Sequence, residues 1–597
     1  MGTFWKIWTA VLVAAISVAA VAEPGAGADR KALFGELHMH TQWSFDAYLF
    51  TTRATPDDAY EFAKGKPLKH PNGKTYQMSR PLDFMAVTDH GIFLGVYARM
   101  ADPTHPLSKL PIAERATSDD PAEGFAVFGE MIAAVRAGTP IEGITTPEMA
   151  QDAWDYVVAA ANRHYDPGTF TTFIAYEWTS TPDGQNLHRN VIFKGETAPP
   201  PFTSLDSSNP EDLWAWMDRI REEGHEVLAI PHNSNLSDGR TFEGEDSWDN
   251  PLTPDYAATR NRNEPLVEVT QIKGTSETHP ALSPNDEFAD FELLELYVAS
   301  NVAVTKFNGS YVRDAYRTGL EFQDKEGFNP YRFGLVGASD SHTGIVATVE
   351  NNFSGPSGAR TGSAELRLVT QPAATKYRRF SASGTAGVWA EKNTRESIFS
   401  AFRRKETWGT TGPRIQVRFF GGFDMAGVTP GEEGWIDAAY EKGVPMGGEL
   451  KATDGAGALT FAVWAIKDVE GANLDRIQIV KGWSEGGESH ERVYDTLWSG
   501  NRVKDPETGK VPAVGNTVNL ETLEYSNTIG AVELKGTWTD PDFKADQNAF
   551  YYVRVLEIPT PRWSMFDAKE LGIPHPAGLN KTIQERAYTS PIRYDAH

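Results

Sequence analysis

The stretch "FGELHMHTQWSFDA", residues 34–47, places two histidines and a carboxylate close together. His38 and His40 flank a single apolar residue, and Asp46 follows eight positions after His38. Side chains two residues apart on a β-strand point to the same face of the strand. The spacing therefore predicts that both imidazoles face one site.

Apolar runs typical of buried strands recur after this stretch, with helical patterns between them. Polar residues follow these runs where each strand would end: Asp89 and His90, Glu177, His232, and the pair Asp340 and His342. Alternation of strands and helices predicts a parallel sheet or an α/β barrel. In such folds the carboxyl ends of the strands meet at the active site, so residues distant in sequence converge there.

The residues at these strand ends are typical metal ligands. Eleven of the 14 histidines lie between positions 38 and 342, and the chain has no cysteine. A single H-x-H or D-x-H motif is most often an exposed pair or a hydrogen-bonded core histidine. Five such sets in succession, each at a strand end, favour a metal site instead. Imidazoles and carboxylates without sulfur suit Zn, with Mn or Fe as alternatives.

Composition narrows the function classes further. The chain has 597 residues, 56 basic and 81 acidic, and a formal charge of −25. Such acidity disfavours nucleic acid and anionic membranes as partners and leaves a small-molecule substrate. The absence of cysteine excludes disulfides and cysteine nucleophiles. The sequence also lacks a phosphate-binding P-loop and the G-x-S-x-G motif of serine hydrolases.

The N-terminus has the pattern of an export signal. Lys6 precedes an apolar run, and Ala20-Val21-Ala22 fits the small-x-small rule for cleavage before Glu23. We therefore expect residues 1–22 to be a signal peptide and the mature protein to be periplasmic or secreted. The alternative is an uncleaved membrane anchor.

Two regions follow the signal. Residues 23–413 carry the strand–helix alternation and all the candidate ligands. Residues 414–597 show β-rich alternation with glycine-rich turns, which predicts a β-sandwich-like domain. Within the first region, residues 352–390 are rich in Gly, Ser and Ala and are expected to form a long loop over the site.

The motifs "GELHMHT", "TDHG", "PHNSN" and "GASDSHTG", taken together, resemble those of the polymerase and histidinol phosphatase (PHP) superfamily. The sequence is most similar to a large uncharacterised, exported branch of that superfamily. The resemblance covers essentially the whole mature chain. It implies an α/β fold with a distorted seven-stranded (β/α) barrel, two or three divalent metal ions and, in most members, hydrolysis of phosphoesters.

The resemblance also assigns ligands by position. The first metal ion would be held by His38, His40, Glu177 and Asp340. Glu177 would bridge to a second ion held by His232 and joined by His188, whose spacing departs from that of smaller family members.

The third ion would be held by His90 and His342. Asp46 occupies a place where many relatives have histidine, and we expect it to join this third set. Carboxylate is a harder donor than imidazole, which would favour Mn or Fe. The alternative is that Asp46 caps the turn after the strand, a common role for aspartate.

Three further residues are candidates for the chemistry itself. Asp89 precedes His90 and would be a proton donor or an anchor for that histidine. Arg189 and Lys273 lie near predicted strand ends, where a cation could stabilise a phosphoryl group. A solvated surface charge is an equally good interpretation of either cation alone. Lys376, Arg378 and Arg379 form a basic patch that would capture an anion only if the loop closed.

Three functions remain open. The first is a periplasmic phosphoesterase that hydrolyses a small monoester or diester by metal-bound hydroxide. The second is a metal-dependent hydrolase of C–N or C–O bonds on the same scaffold, since a fold does not determine a reaction. The third is a non-catalytic protein that binds metal or carbohydrate.

Overall fold

A computed structural model describes residues 29–136, 144, 147–297, 302–370, 374–452 and 457–596. The expected signal peptide, residues 1–22, lies outside this part of the chain. Among the described helices, none combines the length and the apolar character that a bilayer crossing requires.

The strands of the first two thirds of the chain include those that carry the candidate ligands. They are β1 (Lys31–Glu36), β2 (Leu68–Lys69), β3 (Thr75–Tyr76), β4 (Phe84–Ala86), β5 (Thr171–Trp178), β6 (Arg189–Phe193), β7 (Val227–Pro231), β8 (Leu266–Gln271), β9 (Gly274–Thr275), β10 (Gly334–Gly337), β11 (Thr385–Ala390) and β12 (Thr407–Thr410).

The strands of the last third are β13 (Gln416–Gly422), β14 (Val444–Pro445), β15 (Glu449–Lys451), β16 (Thr460–Ile466), β17 (Leu474–Glu485), β18 (Glu488–Trp498), β19 (Glu533–Thr539), β20 (Ala549–Glu557), β21 (Thr560–Pro561), β22 (Thr582–Ile583), β23 (Arg586–Thr589) and β24 (Ile592–Asp595).

The α-helices lie mostly between the strands of the first region. They are α1 (Phe45–Leu49), α2 (Pro56–Ala63), α3 (Val96–Met100), α4 (Ala113–Ala116), α5 (Pro121–Arg136), α6 (Pro147–His164), α7 (Pro210–Glu222), α8 (Pro254–Asn263), α9 (Val312–Glu326), α10 (Gly358–Thr361), α11 (Ala364–Leu368), α12 (Ala374–Tyr377), α13 (Arg395–Arg404), α14 (Trp435–Lys442) and α15 (Trp563–Leu571).

Proline at the first helical position recurs because its fixed φ suits a helix start and its missing N–H is not needed there. Helix α2 shows the full pattern: Pro56 follows Thr55, and Thr55 and Asp58 form a reciprocal capping box. Helix α7 begins at Pro210 in the same way and buries Leu213 and Trp214 on one face.

The main sheet is mixed, and it runs through both regions of the chain. Its hydrogen-bonded order is β15-β24-β20-β23-β12-β11-β1-β4-β5-β6-β7, with β17 attached to β20 and β18 attached to β17. Strand β1 pairs in parallel with β4 and antiparallel with β11, whereas β6 is antiparallel to both of its neighbours, β5 and β7. The α/β class is thus observed, but the sheet is not purely parallel.

The structure does not confirm a closed seven-stranded barrel. Strands β8 and β10 pair in parallel in a separate three-stranded sheet with β9. A single bridge between Met39 and Ser341 links the segment after β1 to the segment after β10. The hydrogen-bonded path is therefore open, although this bridge brings the ends of β1 and β10 side by side.

The expected boundary between residues 413 and 414 lies between β12 and β13, and the main sheet crosses it. Trp408 of β12 pairs with Thr589 of β23. Buried ion pairs make a second connection, since Arg554 of β20 contacts Glu277 and Asp286 of the first region. The C-terminal strands thus share a sheet with the strands that carry the site.

The segment 352–390 is not one long loop. It contains the short helices α10, α11 and α12 and ends in strand β11, which pairs with β1 along its length. The glycines of this segment suggested a loop, but several of them allow close packing instead. A Cβ on Gly387, for example, would lie 2.2 Å from the Trp408 ring.

Candidate metal centre

His38 and His40 lie just beyond the end of β1, and the segment after β10 holds them in place. The Asp340 N–H donates to the His38 carbonyl oxygen at 2.8 Å, and the His40 N–H donates to the Ser341 carbonyl oxygen at 2.8 Å. Asp340 adopts a left-handed conformation with φ of 56°. Such strain in a non-glycine residue is typical of functional sites, where the surrounding structure enforces it.

The two imidazoles meet the same pair of carboxylate oxygens. His38 Nε2 and His40 Nε2 lie 3.6 Å and 3.1 Å from Glu177 Oε2. They lie 3.4 Å and 3.5 Å from Asp340 Oδ1. All four side chains are buried. Four donor atoms of the types that zinc, manganese and iron accept therefore converge on one small volume.

Glu177 turns its other oxygen to a second group of histidines. Glu177 Oε1 lies 2.8 Å from His188 Nδ1 and 3.6 Å from His232 Nε2. His188 immediately precedes β6, the neighbour of β5 in the sheet, and His232 follows β7, the strand beyond β6. The structure therefore brings His188 to Glu177 despite its unusual spacing in the sequence.

Asp46 bridges a third group. Its Oδ1 lies 3.3 Å from His90 Nε2, and its Oδ2 lies 3.1 Å from His342 Nε2. The rings of His342 and His40 are stacked with centroids 4.0 Å apart. The third group thus adjoins the first, and all nine residues expected as ligands lie in one continuous cluster.

Hydrogen bonds at the far nitrogens determine which ring nitrogen faces the cluster. His342 Nδ1 lies 3.1 Å from the backbone carbonyl oxygen of Asp340, which can only accept, so Nδ1 carries the proton. His40 Nδ1 lies 2.8 Å from Ser44 Oγ, whose own proton is donated to Asp89 Oδ1 at 2.8 Å. In both rings Nδ1 therefore carries a proton and bonds outside the cluster, which leaves Nε2 as the atom presented to the cluster.

These Nε2 atoms face carboxylate oxygens: His342 Nε2 lies 3.1 Å from Asp46 Oδ2, and His40 Nε2 lies 3.1 Å from Glu177 Oε2. The described residues offer no hydrogen-bond partner to His40 Nε2 or to Asp340 Oδ1, although both are buried. Buried carboxylates that lie this close together require positive charge between them, which protonated imidazoles or a divalent cation supply. The donor set therefore fits divalent metal ions.

In this cluster, burial and neighbouring charges shift the pKa values of the carboxylates in opposite directions. Burial alone would raise the pKa of Glu177, but His90 and His188 outweigh it and hold that pKa well below its usual value. The pKa of Asp46 is likewise held low by His342 and His90 against the effect of burial. Burial lowers the pKa of His232 to about 4, with His38 acting in the same direction.

Asp89 lies behind the cluster as an anchor. Its oxygens accept hydrogen bonds from the Thr41 backbone N–H, the Thr41 hydroxyl and the Ser44 hydroxyl. Burial raises the pKa of Asp89 even so. Of the two roles expected for Asp89, these contacts favour the anchor, but they orient His40 through Ser44 and do not touch the His90 ring.

Arg189 does not reach the cluster. Its Nε donates to Glu264 Oε1 at 2.9 Å and its Nη1 donates to the Leu187 carbonyl oxygen at 2.7 Å. The reason is strand geometry: neighbouring residues point to opposite faces, so with His188 facing Glu177 the next side chain faces away. The charge of Arg189 is neutralised inside the fold and is not available to a substrate.

Lys273 does reach the cluster, because its Nζ donates to Asp340 Oδ2. The side chain is 12% exposed, so it is accessible from one side. Lys273 lies in the loop after β8. Its backbone N–H donates to Gln271 Oε1 at 2.7 Å, which fixes the position of the residue. Lys273 is thus the one expected cation that lies beside the candidate ligands.

Glu268 and Glu36 belong to the site but were not expected from the sequence. Glu268 Oε2 lies 3.0 Å from His38 Nδ1, and Glu36 Oε1 accepts from the His38 backbone N–H at 2.7 Å. Burial raises the pKa of each to about 8. The signal was available in "PLVEVTQ", where a carboxylate interrupts an apolar strand, since an ionised side chain is seldom buried without a partner.

Replacing Asp46 with alanine should remove the third group's shared carboxylate. We expect the loss of about one metal ion per chain and a fall in activity of about 10–100-fold, the range typical of metal-site residues. Elemental analysis and turnover of the same preparation measure both quantities. Asp58→Ala is the matched control, because Asp58 caps helix α2 away from the site. If Asp46→Ala keeps the wild-type metal content, Asp46 is not a ligand and its role is to cap the turn.

The chain was compared with known proteins in three ways. The family model described as a protein of unknown function, DUF3604, matches residues 27–596. Comparison with the curated proteins finds no match. A solved structure from Bacteroides vulgatus, described as a two-domain protein containing a predicted PHP-like metal-dependent phosphoesterase, is 10% identical, with a TM-score of 0.29. The match covers 78% of this chain and 86% of the chain of that structure. Because the family model spans nearly the whole sequence, the chain belongs to the DUF3604 family.

Proposed function

We propose that this protein is a metal-dependent hydrolase that cleaves a phosphoester of a small molecule. The observation that carries the proposal is the opposition of His342 Nε2 to Asp46 and of His40 Nε2 to Glu177 at 3.1 Å. In both rings Nδ1 bonds outside the cluster, so Nε2 is the atom that a metal ion would meet beside the carboxylate. The chain has no cysteine, and Ser44, which contacts the His40 ring, is fully buried and donates its proton to Asp89, so neither supplies an accessible nucleophile.

Three overlapping groups would hold the ions. The groups are His38, His40, Glu177 and Asp340; then Glu177, His188 and His232; then Asp46, His90 and His342. Zinc suits this donor set, and manganese or iron would suit the third group's carboxylate. When bound, such ions supply an activated water and charge stabilisation for a reacting phosphoryl or carbonyl group.

The protein's own side chains then orient the groups and neutralise charge. Asp89 and Ser44 hold the His40 ring, and Glu268 holds the His38 ring. Lys273 adds a cation beside Asp340 on the accessible side of the cluster. A phosphoryl group develops more negative charge than an amide or a lactone does, so a lysine in this position favours phosphoester chemistry.

A substrate panel tests the proposal. The protein is stripped of metal, reloaded with Zn or Mn, and incubated with activated aryl phosphates, bis-aryl phosphates, lactones and amides. We expect hydrolysis of phosphoesters that depends on the added metal. Opening of lactones or amides with intact phosphoesters would identify a hydrolase of C–O or C–N bonds instead. Metal binding without turnover of any class would favour a non-catalytic binding protein.

A further inference from the structure

A small cavity of about 60 Å³ adjoins the third group of ligands. Asp46 and His342 form the side nearest the candidate metal centre. Three cationic side chains, Lys273, Arg360 and Lys376, also line it, together with the rings of Phe50, Tyr377 and Phe380, and we call this cavity the cation pocket. Helices α10 and α12 supply Arg360 and Lys376 from the segment that the sequence predicted to be a loop.

Arg360 brings a positive charge that is held against aromatic rings. Its guanidinium carbon lies 4.2 Å from the centre of the Phe50 ring and 5.6 Å from that of Phe128. In the described part of the chain no carboxylate forms an ion pair with it. Aromatic rings hold a guanidinium in place without cancelling its charge. Arg360 is therefore preorganised to meet an anion.

Lys376 adds a second charge at close range. The residue is only 6% exposed, which is unusual for lysine. Burial lowers the pKa of Lys376 to about 8, with the neighbouring Arg360 and Lys273 acting in the same direction. Lys273 is paired with Asp340, so an anion in the pocket would meet Arg360 first and gain further from the two lysines beside it.

The size of the pocket limits what can enter. A cavity of about 60 Å³ holds a few water molecules or one tetrahedral oxyanion. We propose that the cation pocket binds the terminal phosphate dianion of the substrate, so that the substrates are phosphomonoesters and not diesters. This inference rests on the proposed function and narrows its substrate class. A diester carries one negative charge fewer and one free phosphoryl oxygen fewer to offer to the three cations.

Variants of Arg360 and Lys376 test the pocket, because neither side chain is among the candidate ligands. Metal-loaded wild type, Arg360→Gln and Lys376→Gln are compared in two measurements. The first is binding of inorganic phosphate by equilibrium dialysis. The second is kcat/KM for p-nitrophenyl phosphate and for bis(p-nitrophenyl) phosphate. Arg379→Gln is the matched control, since Arg379 lies in the same segment but pairs with Glu295 at the surface.

Both pocket variants are expected to keep their metal content and to bind phosphate about 10–100-fold more weakly, the loss typical of a hydrogen bond between charged groups. The monoester kcat/KM should fall by a similar factor, whereas any slow diester turnover should change by less than about threefold. Arg360→Lys should restore part of the binding, because it restores the charge.

Phosphate binding that is equal in wild type, Arg360→Gln and Lys376→Gln would overturn the inference, as would an equal fall for both esters. The two proposals fail separately. A wild type that cleaves neither ester would contradict the proposed function. The dialysis measurement would still decide whether the pocket binds phosphate.

Discussion

Glu177→Gln is expected to lose at least one metal ion per chain and about 10²–10⁴-fold in activity, since the carboxylate serves two of the three groups. Glu177 Oε2 faces His38, His40 and His90, and Oε1 faces His188 and His232. A glutamine keeps the volume of the side chain but removes its charge. One of its ends would be an NH₂ group, which repels a cation and donates to an imidazole instead.

Elemental analysis, with activity of the same sample, measures this effect. Glu264→Gln is the matched control, because Glu264 is also buried and ion-paired, but to Arg189. The control should lower the free energy of unfolding and leave the metal content unchanged. If both variants lose stability and neither loses metal, Glu177 is only a buried structural acid.

The double variant His38→Ala, His40→Ala should have an effect of similar size. Both Nε2 atoms approach the same two oxygens, so removing them leaves Glu177 and Asp340 as the only donors of the first group. Two carboxylates hold a transition metal weakly, and we expect the first ion to be lost. Loss of two ligands corresponds to about 10²–10⁴-fold in affinity if each contributes 10–100-fold.

His164→Ala controls for the removal of a largely buried imidazole, since His164 bonds to Asp57 and Lys64 away from the cluster. Isothermal titration with Zn or Mn after metal removal gives the number of sites and their affinities. An unchanged number of tight sites in the double variant would contradict the assignment of the first group.

The sequence could predict which side chains converge because of where the candidate ligands occur. His38, His90, Glu177, His232 and Asp340 each follow an apolar run, and such runs are recognisable as buried strands without knowledge of their order in the sheet. Convergence at strand ends then follows from the alternation of strands and helices. The structure places these side chains together, as expected, including His188, whose spacing was unusual.

Residues whose role depends on which face they occupy were harder to predict. Arg189 and His188 are adjacent in sequence, and only the pairing of β6 with β5 determines that His188 faces Glu177. Glu268 faces His38 across two sheets that share no strand. Such contacts depend on register and on sheet packing, which local patterns do not encode.

The architecture was predictable only in its class. Alternating strands and helices indicated an α/β protein. This alternation could not predict that β6 is antiparallel to β5 and β7, or that β8 and β10 form a separate sheet. Residues 385–390 illustrate the cause. Glycine and alanine weaken the strand signal there, yet the segment is a central strand because β1 and β12 pair with both its edges.

The most direct test of the account is the metal content of the wild-type protein, purified without chelators and measured by elemental analysis. The account predicts two or three divalent ions per chain, retained through gel filtration and restored by adding Zn or Mn after removal. Less than one ion per chain, with no gain on adding either metal, would contradict it.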